Sequence, residues 1–265
     1  MKSWRKYIAL ATISAKSSLA YFGEVMAVVI FLTVVLFILL KLWQAAYLYQ
    51  GQKLLGGLGL VQMMMYLMIT EACTMSATRI ADLVDEDVRT GIITAQLVRP
   101  IYYTLAQLSR NLGERGVRFA TNLVLGSLVI FMLIGKLQLN PSAFLMLLIV
   151  MPLAFTIDFL GNFMIGLTAF WIENSSGFAL LYSRLSWILG GMLLPMDLFP
   201  SWCHDLLYIL PFSQVLYGPA RLFVDPSWGQ LVSLVIRQLI SILFMSFLMW
   251  IVYRRAMRQV FSNGG

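Results

Sequence analysis

Six long apolar stretches leave this chain few ways to fold. They run roughly Phe22–Trp43, Gly57–Ala77, Gly113–Gly135, Ala143–Trp171, Phe178–Leu194 and Gln230–Tyr253. A helix needs about 20 mostly apolar residues to cross the hydrocarbon core of a bilayer. Only 12% of the residues are charged, against about 25% in a soluble domain. A mean hydropathy of +0.83 excludes disorder as well, because disordered chains are poor in apolar residues. The expectation is an all-α polytopic membrane protein with six transmembrane helices, built as a single domain over residues 1–265. The fourth stretch carries Pro152, which predicts a kink or tilt there. The fifth is short and ends near Gly190-Gly191.

The basic residues orient these spans. Lys2, Arg5, Lys6 and Lys16 precede the first. Arg79, Arg89, Arg99, Arg110, Arg115 and Arg118 stand between the second and third, and Arg254, Arg255 and Arg258 follow the last. The opposite side holds Lys41, Lys53, Lys136 and Arg221. The positive-inside rule then puts both termini in the cytoplasm, and an even number of spans agrees. The same rule accounts for the net charge of +7 without a nucleic-acid partner. In residues 1–20, Trp4, Ile8, Ala11, Ala15 and Leu19 share one helical face and the basic residues the other, the pattern of an interfacial helix. No A-x-A-like site closes an apolar core there, so no cleavable signal is expected. Residues 198–228 are too apolar for a solvated loop. Pro200, Pro211, Pro219 and Pro226 cut them into pieces too short to span, which predicts short re-entrant helices on the extracytoplasmic side.

Charge gathers in one polar stretch, Arg79–Arg118. Asp82, Asp85, Glu86 and Asp87 suit the first turn of a short helix. Gly91 breaks it, Ile92, Ile93 and Leu97 supply apolar knobs, and Pro100 ends the segment. The pattern fits a docking element in a cytoplasmic loop over residues 80–110, and also a solvated loop with positive-inside arginines. Charges also fall in the spans. Glu24 lies near an interface, Glu71 deeper in the second span, and Asp158 mid-span in the fourth with Asn162 one turn on. Such groups are costly in lipid; Glu71 and Asp158 are each expected either to pair with Arg184 or Arg237, or to line a polar path.

Several chemistries are excluded. Cys73 and Cys203 do not form a disulfide framework, and one histidine, His204, cannot build a zinc site. There is no G-x-x-x-x-G-K-[ST] loop, H-E-x-x-H or G-x-S-x-G. Catalytic residues, metal ligands and a nucleotide site are therefore not expected on this chain. The 16 Met and 13% aromatic residues are read as packing and lipid-facing positions.

Three stretches carry a family resemblance. They are Arg89-Thr90-Gly91-Ile92-Ile93 continuing to Leu97-Val98-Arg99-Pro100-Ile101; Phe170-Trp171-Ile172-Glu173-Asn174-Ser175-Ser176-Gly177; and Gly191 to Met196 through Phe199-Pro200 to Leu210-Pro211-Phe212. Over nearly its whole length the chain resembles the ABC-2 type permeases, the membrane subunits of ABC exporters. The resemblance implies that residues 1–20 are a connecting helix, Asp85–Arg99 a coupling helix and residues 198–228 re-entrant helices. It implies ATPase contacts at Asp85, Glu86, Asp87, Arg89, Ile92, Ile93, Leu97 and Arg99, with ATP and Mg held by a separate ATPase chain. It also implies a second permease, identical or homologous, with the substrate path between the two. An inner or plasma membrane exporter of a lipid, glycolipid or drug-like metabolite is the expected function, with Glu71, Asp158 and Asn162 as candidate pathway residues. The rival reading is an ion-coupled secondary transporter using Glu71 and Asp158, against which stands the lack of an internal repeat. A membrane enzyme or scaffold is the remaining alternative.

Overall fold

A helix that is apolar all round must be buried or face lipid, and this chain builds long helices of both kinds. A computed structural model describes residues 3–18, 22–135 and 140–262. Lys136 and Leu19 lie outside the described residues, as does the side chain of Glu24. The long helices are α2 (Phe22–Gln50), α6 (Tyr103–Ile134), α7 (Pro141–Leu167) and α12 (Trp228–Ser262). Between them come α1 (Ser3–Ser18), α3 (Leu60–Met75), α4 (Ile80–Arg89), α5 (Ile92–Leu97), α8 (Ser176–Leu189), α9 (Ser201–Ile209), α10 (Pro211–Val215) and α11 (Tyr217–Val224). Apart from one isolated bridge between Leu55 and Leu58, no β-pairing occurs among the described residues.

Four segments are long and apolar enough to cross a membrane: Ala27–Gln50, Tyr103–Ile134, Pro141–Phe170 and Trp228–Gln259. The other two expected spans are shorter as helices. α3 has 16 residues and α8 has 14, so at 1.5 Å per residue they extend about 24 and 21 Å, less than the ~30 Å hydrocarbon core. Local chemistry stops them. Gly59 begins α3, with the Gln62 side chain accepting its N–H at 3.0 Å. Gly190-Gly191 ends α8, and Gly191 is left-handed at φ 72°. The third expected span instead grows. α6 begins at Tyr103, so Arg110, Arg115 and Arg118 lie on a continuous helix and the loop expected over residues 80–110 closes earlier than residue 110. α7 passes through Pro152 without a break.

α3 is the centre of the bundle. Met63 through Cys73 are all buried, and their apolar side chains join one core with α2, α6, α7, α10 and α11. A second core forms at the other end of α7, where Ile80 and Val84 of α4 meet Phe159, Phe163 and Leu167 of α7 and Ala256 of α12. The connections sort accordingly. The turn between α2 and α3 lies by Asp197 and Leu198, next to α9–α11. α1, α4, α5, the start of α6 and the end of α12 gather at the opposite end. There Tyr7 accepts the Tyr102 N–H at 3.2 Å.

α1 lies along α6. Its expected apolar face is split between two environments: Ala11 and Ala15 turn toward the protein, whereas Trp4 and Ile8 stay 59% and 52% exposed, along with Ile13. Close approach rests on Gly113, where an added Cβ would overlap the Ala11 carbonyl. Gly113→Val should therefore push α1 off α6 at about 1–3 kcal/mol, the usual cost of overpacking. Limited trypsin digestion checks it: cleavage after Lys6 and Lys16 should quicken, and an unchanged digestion pattern would refute the contact.

Candidate coupling surface and polar cleft

α4 is amphipathic. Ile80, Ala81 and Val84 lie one turn or less apart and face the second core, while Asp82, Leu83, Glu86 and Arg89 face outward. Gly91, at φ 71°, caps the next helix in the left-handed region, a conformation glycine adopts without Cβ strain. It turns the chain so that α5 folds back and buries Ile93 at 1% exposure.

The three adjacent acids have separate positions. Only Asp82 sits in the first turn of α4; Asp85, Glu86 and Asp87 come later, so the dipole argument does not hold them. Asp85 is buried. One oxygen accepts the Ser175 N–H at 2.9 Å and the other meets Arg89 Nε at 2.7 Å. Ser175 precedes α8, so Asp85 ties α4 to the start of that helix. Asp87 is buried too and accepts from Tyr103 at 2.7 Å and Gln96 at 3.2 Å. Both carboxylates are spent inside the chain. Of the expected contact residues, Glu86, Arg89, Ile92 and Arg99 are exposed, Leu97 is half-buried, and Asp85, Asp87 and Ile93 are buried. Val98 and Tyr102, which the sequence reading passed over, are 87% and 77% exposed beside them.

Asp158 has a partner other than the two expected arginines, and it also lines a polar cleft. Asp158 pairs with Arg115 of α6, at 2.5 Å between Arg115 Nη1 and Oδ2. It pairs with neither Arg184 nor Arg237. Arg115 is 2% exposed, lies over the Phe155 ring at 4.5 Å, and approaches Cys73 Sγ at 4.0 Å. Its Nε has no hydrogen-bond partner among the described residues. Asn162 donates to Asp158 Oδ1 at 3.2 Å. By charge count alone Arg115 is indistinguishable from the positive-inside residues Arg110 and Arg118. A signal was present: Gln107, Asn111, Arg115 and Asn122 recur every four or seven residues, a buried polar stripe on α6. Asn111 donates to Thr78 at 2.5 Å. Arg118 pairs with Glu114 one turn away on the partly exposed side, where such pairs contribute little.

A cleft of about 600 Å³ opens beside this ion pair. Arg115, Asp158, Asn162, Tyr182, Arg184 and Arg79 are on its walls, which α3, α4, α6, α7 and α8 supply. Tyr182 packs onto Gly161, where a Cβ would overlap its hydroxyl. Arg184 stacks over Trp187 at 4.2 Å. Glu71 is 3% exposed on α3, is not on this wall, and takes part in no ion pair among the described residues.

At the other end, α9–α11 carry their own polar cluster. Tyr217 donates to Asp197 at 3.0 Å, and Tyr208 and Tyr217 share a hydrogen bond of 2.9 Å. Burial, and then the Tyr208 bond, holds the Tyr217 hydroxyl well above its usual range, so it stays protonated. Thr70 of α3 donates to the Met192 carbonyl at 2.8 Å, and Tyr66 to that of Gly191. These bonds satisfy two backbone carbonyls in the buried turn that follows α8.

No group of three or more His, Cys, Asp and Glu able to hold a metal occurs among the described residues. A family described as ABC-2 family transporter protein matches residues 30–264. No curated protein matches the sequence.

Proposed function

Because the chain belongs to the ABC-2 family of transporter proteins, we propose that it is the membrane permease subunit of an ATP-driven exporter, with ATP and Mg bound by a separate ATPase chain. It is a multi-pass membrane protein, and membership of this family supports a transport subunit as the reading, rather than an enzyme. The reading takes α2, α3, α6, α7, α8 and α12 as six crossings. The connectivity supports this, since the loops alternate between the α9–α11 end and the α4–α5 end. α3 and α8 fall short as helices, but α3 is sheathed by protein, and non-helical backbone is tolerated at membrane depth where protein covers it. The basic flanks support a cytoplasmic position for both termini and the α4–α5 end. On this reading α9–α11 are re-entrant helices on the outer side of an inner or plasma membrane.

The observation that carries the assignment is the outer face of α4–α5. Ile92 and Val98 stand 47% and 87% exposed between exposed Arg89 and Arg99. An apolar centre with a charged rim is the anatomy of a protein interface. Its occupant is the ATPase. Asp85 then conveys movement, since its bond to Ser175 links α4 to α8, a wall of the cleft. A second permease completes the path, and the mixed polar and apolar cleft suits an amphipathic lipid or lipid-like substrate. The Glu71–Asp158 ion relay is disfavoured, because Asp158 is already engaged by Arg115.

Ile92→Asp combined with Val98→Asp tests the interface. Co-purification with the ATPase should weaken at least about tenfold, as for loss of central apolar anchors, while the heat stability of the chain stays unchanged. Equal complex formation and equal transport-linked ATP hydrolysis would refute the docking face.

A further inference from the structure

An arginine in an apolar span is costly unless something of opposite charge meets it. Arg237 is such a residue. It lies ten positions into α12, whose outward side chains Ile236, Leu239, Ile240 and Leu243 are exposed. Its Nε donates to the Ser233 carbonyl at 3.4 Å and its guanidinium lies over the Tyr208 ring at 5.6 Å. Neither contact neutralises it, and no carboxylate pairs with it among the described residues.

Arg237 shares a cleft of about 250 Å³ with Arg221, Asp197, Tyr208, Tyr217 and Gln230. Arg221 is also incompletely met. Its Nε stands 3.8 Å from Asp197 Oδ2, beyond the ~2.7–2.9 Å of a charge-assisted hydrogen bond. Its Nη1 is buried with no partner among the described residues. Asp197 has committed its other oxygen to Tyr217. Two guanidinium groups thus face one carboxylate, and the cleft keeps a positive excess of one charge.

We propose that this cleft binds the phosphodiester of a membrane lipid headgroup, gripped by Arg221 and Arg237. The planar guanidinium fork matches phosphate oxygens. A phosphodiester carries a single negative charge, equal to the excess in the cleft, whereas a phosphate dianion would be repelled by Asp197. A lipid source is favoured over a soluble one by the surroundings. Trp228, two residues before the cleft residue Gln230, is 72% exposed, as expected of an aromatic residue at headgroup level, and the apolar face of α12 continues below it where acyl chains would lie. Only the leaflet, the outer one, rests on the topology proposed above.

Native mass spectrometry of the full chain in detergent tests this without any ATPase, so failure of the exporter assignment would leave the outcome unaffected. The probes are phosphatidylglycerol, diacylglycerol of the same acyl chains, and inorganic phosphate. Phosphatidylglycerol should be retained at least about tenfold over diacylglycerol, a difference near 1.4 kcal/mol. Arg237→Gln and Arg221→Gln should each abolish that preference, and Arg237→Lys should keep part of it because the charge remains. Inorganic phosphate should not displace the lipid; displacement would show a site for the free anion and overturn the lipid assignment. Unchanged preference in Arg237→Gln, or equal retention of diacylglycerol, would overturn the site itself.

Discussion

Replacing Arg115 by methionine should destabilise the bundle by about 3–5 kcal/mol, because it strands Asp158 as a buried, unpaired charge. Asp158 is 8% exposed, and its remaining neighbours, the Asn162 amide and the Tyr182 hydroxyl, are uncharged and too weak to replace a guanidinium. The loss is read as a fall in the midpoint of heat-induced aggregation of the detergent-solubilised chain. Asp158→Leu alone should cost a similar amount, since it leaves Arg115 buried against Phe155 and Cys73. The double variant Arg115→Met, Asp158→Leu should recover most of the stability, as apolar replacements of buried pairs often do. Additive losses in the double variant would show that the two residues are not coupled. The double variant also separates structure from transport. The pair lies on the wall of the large cleft, so a chain that is stable but no longer transports would assign the charges to the path.

Gly166→Val should separate α4 from α7 and uncouple the ATPase from the membrane helices. A Cβ at Gly166 would sit 2.6 Å from Val84 Cβ and 2.8 Å from the Ala81 carbonyl oxygen. Small residues at such crossings are what allow backbones to approach. Overpacking of this kind costs about 1–3 kcal/mol, and here it falls on α4, which carries Asp85 and leads into the proposed docking face. The expected result is an inserted chain with weaker ATPase binding and ATP hydrolysis that no longer responds to substrate. Val84→Ala in the same chain should rescue it only in part, because the Ala81 carbonyl stays in the way. Full coupling in Gly166→Val would mean that α4 does not need its seat on α7.

Much of this arrangement is legible in one dimension. The apolar runs of the four long spanning helices, the break at Gly91 and the proline-cut segment before α12 rest on composition and local backbone chemistry. The limits of α3 and α8 were less legible, because an apolar run continues past Gly59 and Gly190 although the helix does not. Burial inside the protein accounts for the apolar run of α3, whereas α8 buries only Ser186 and leaves Phe178, Leu180, Leu181 and Ile188 exposed. The short helices around Gly91 follow from the sequence, but three of the expected contact residues turn inward. Asp85, Asp87 and Ile93 look like surface candidates in a string of charges, and only their partners Ser175, Tyr103, Gln96 and the second core explain their direction.

The sequence by itself determined the class of protein, the basic flanks and the family, because hydropathy, charge count and motif order survive without coordinates. The tertiary structure alone decided the pairings. Asp158 could have met Arg184 or Arg237 as easily as Arg115 on paper. The choice depends on which helices touch and how each is rotated about its axis, and no spacing along the chain records either. The same reason separates Arg115 from Arg118, three residues apart on one helix: one is turned into the bundle and the other out of it.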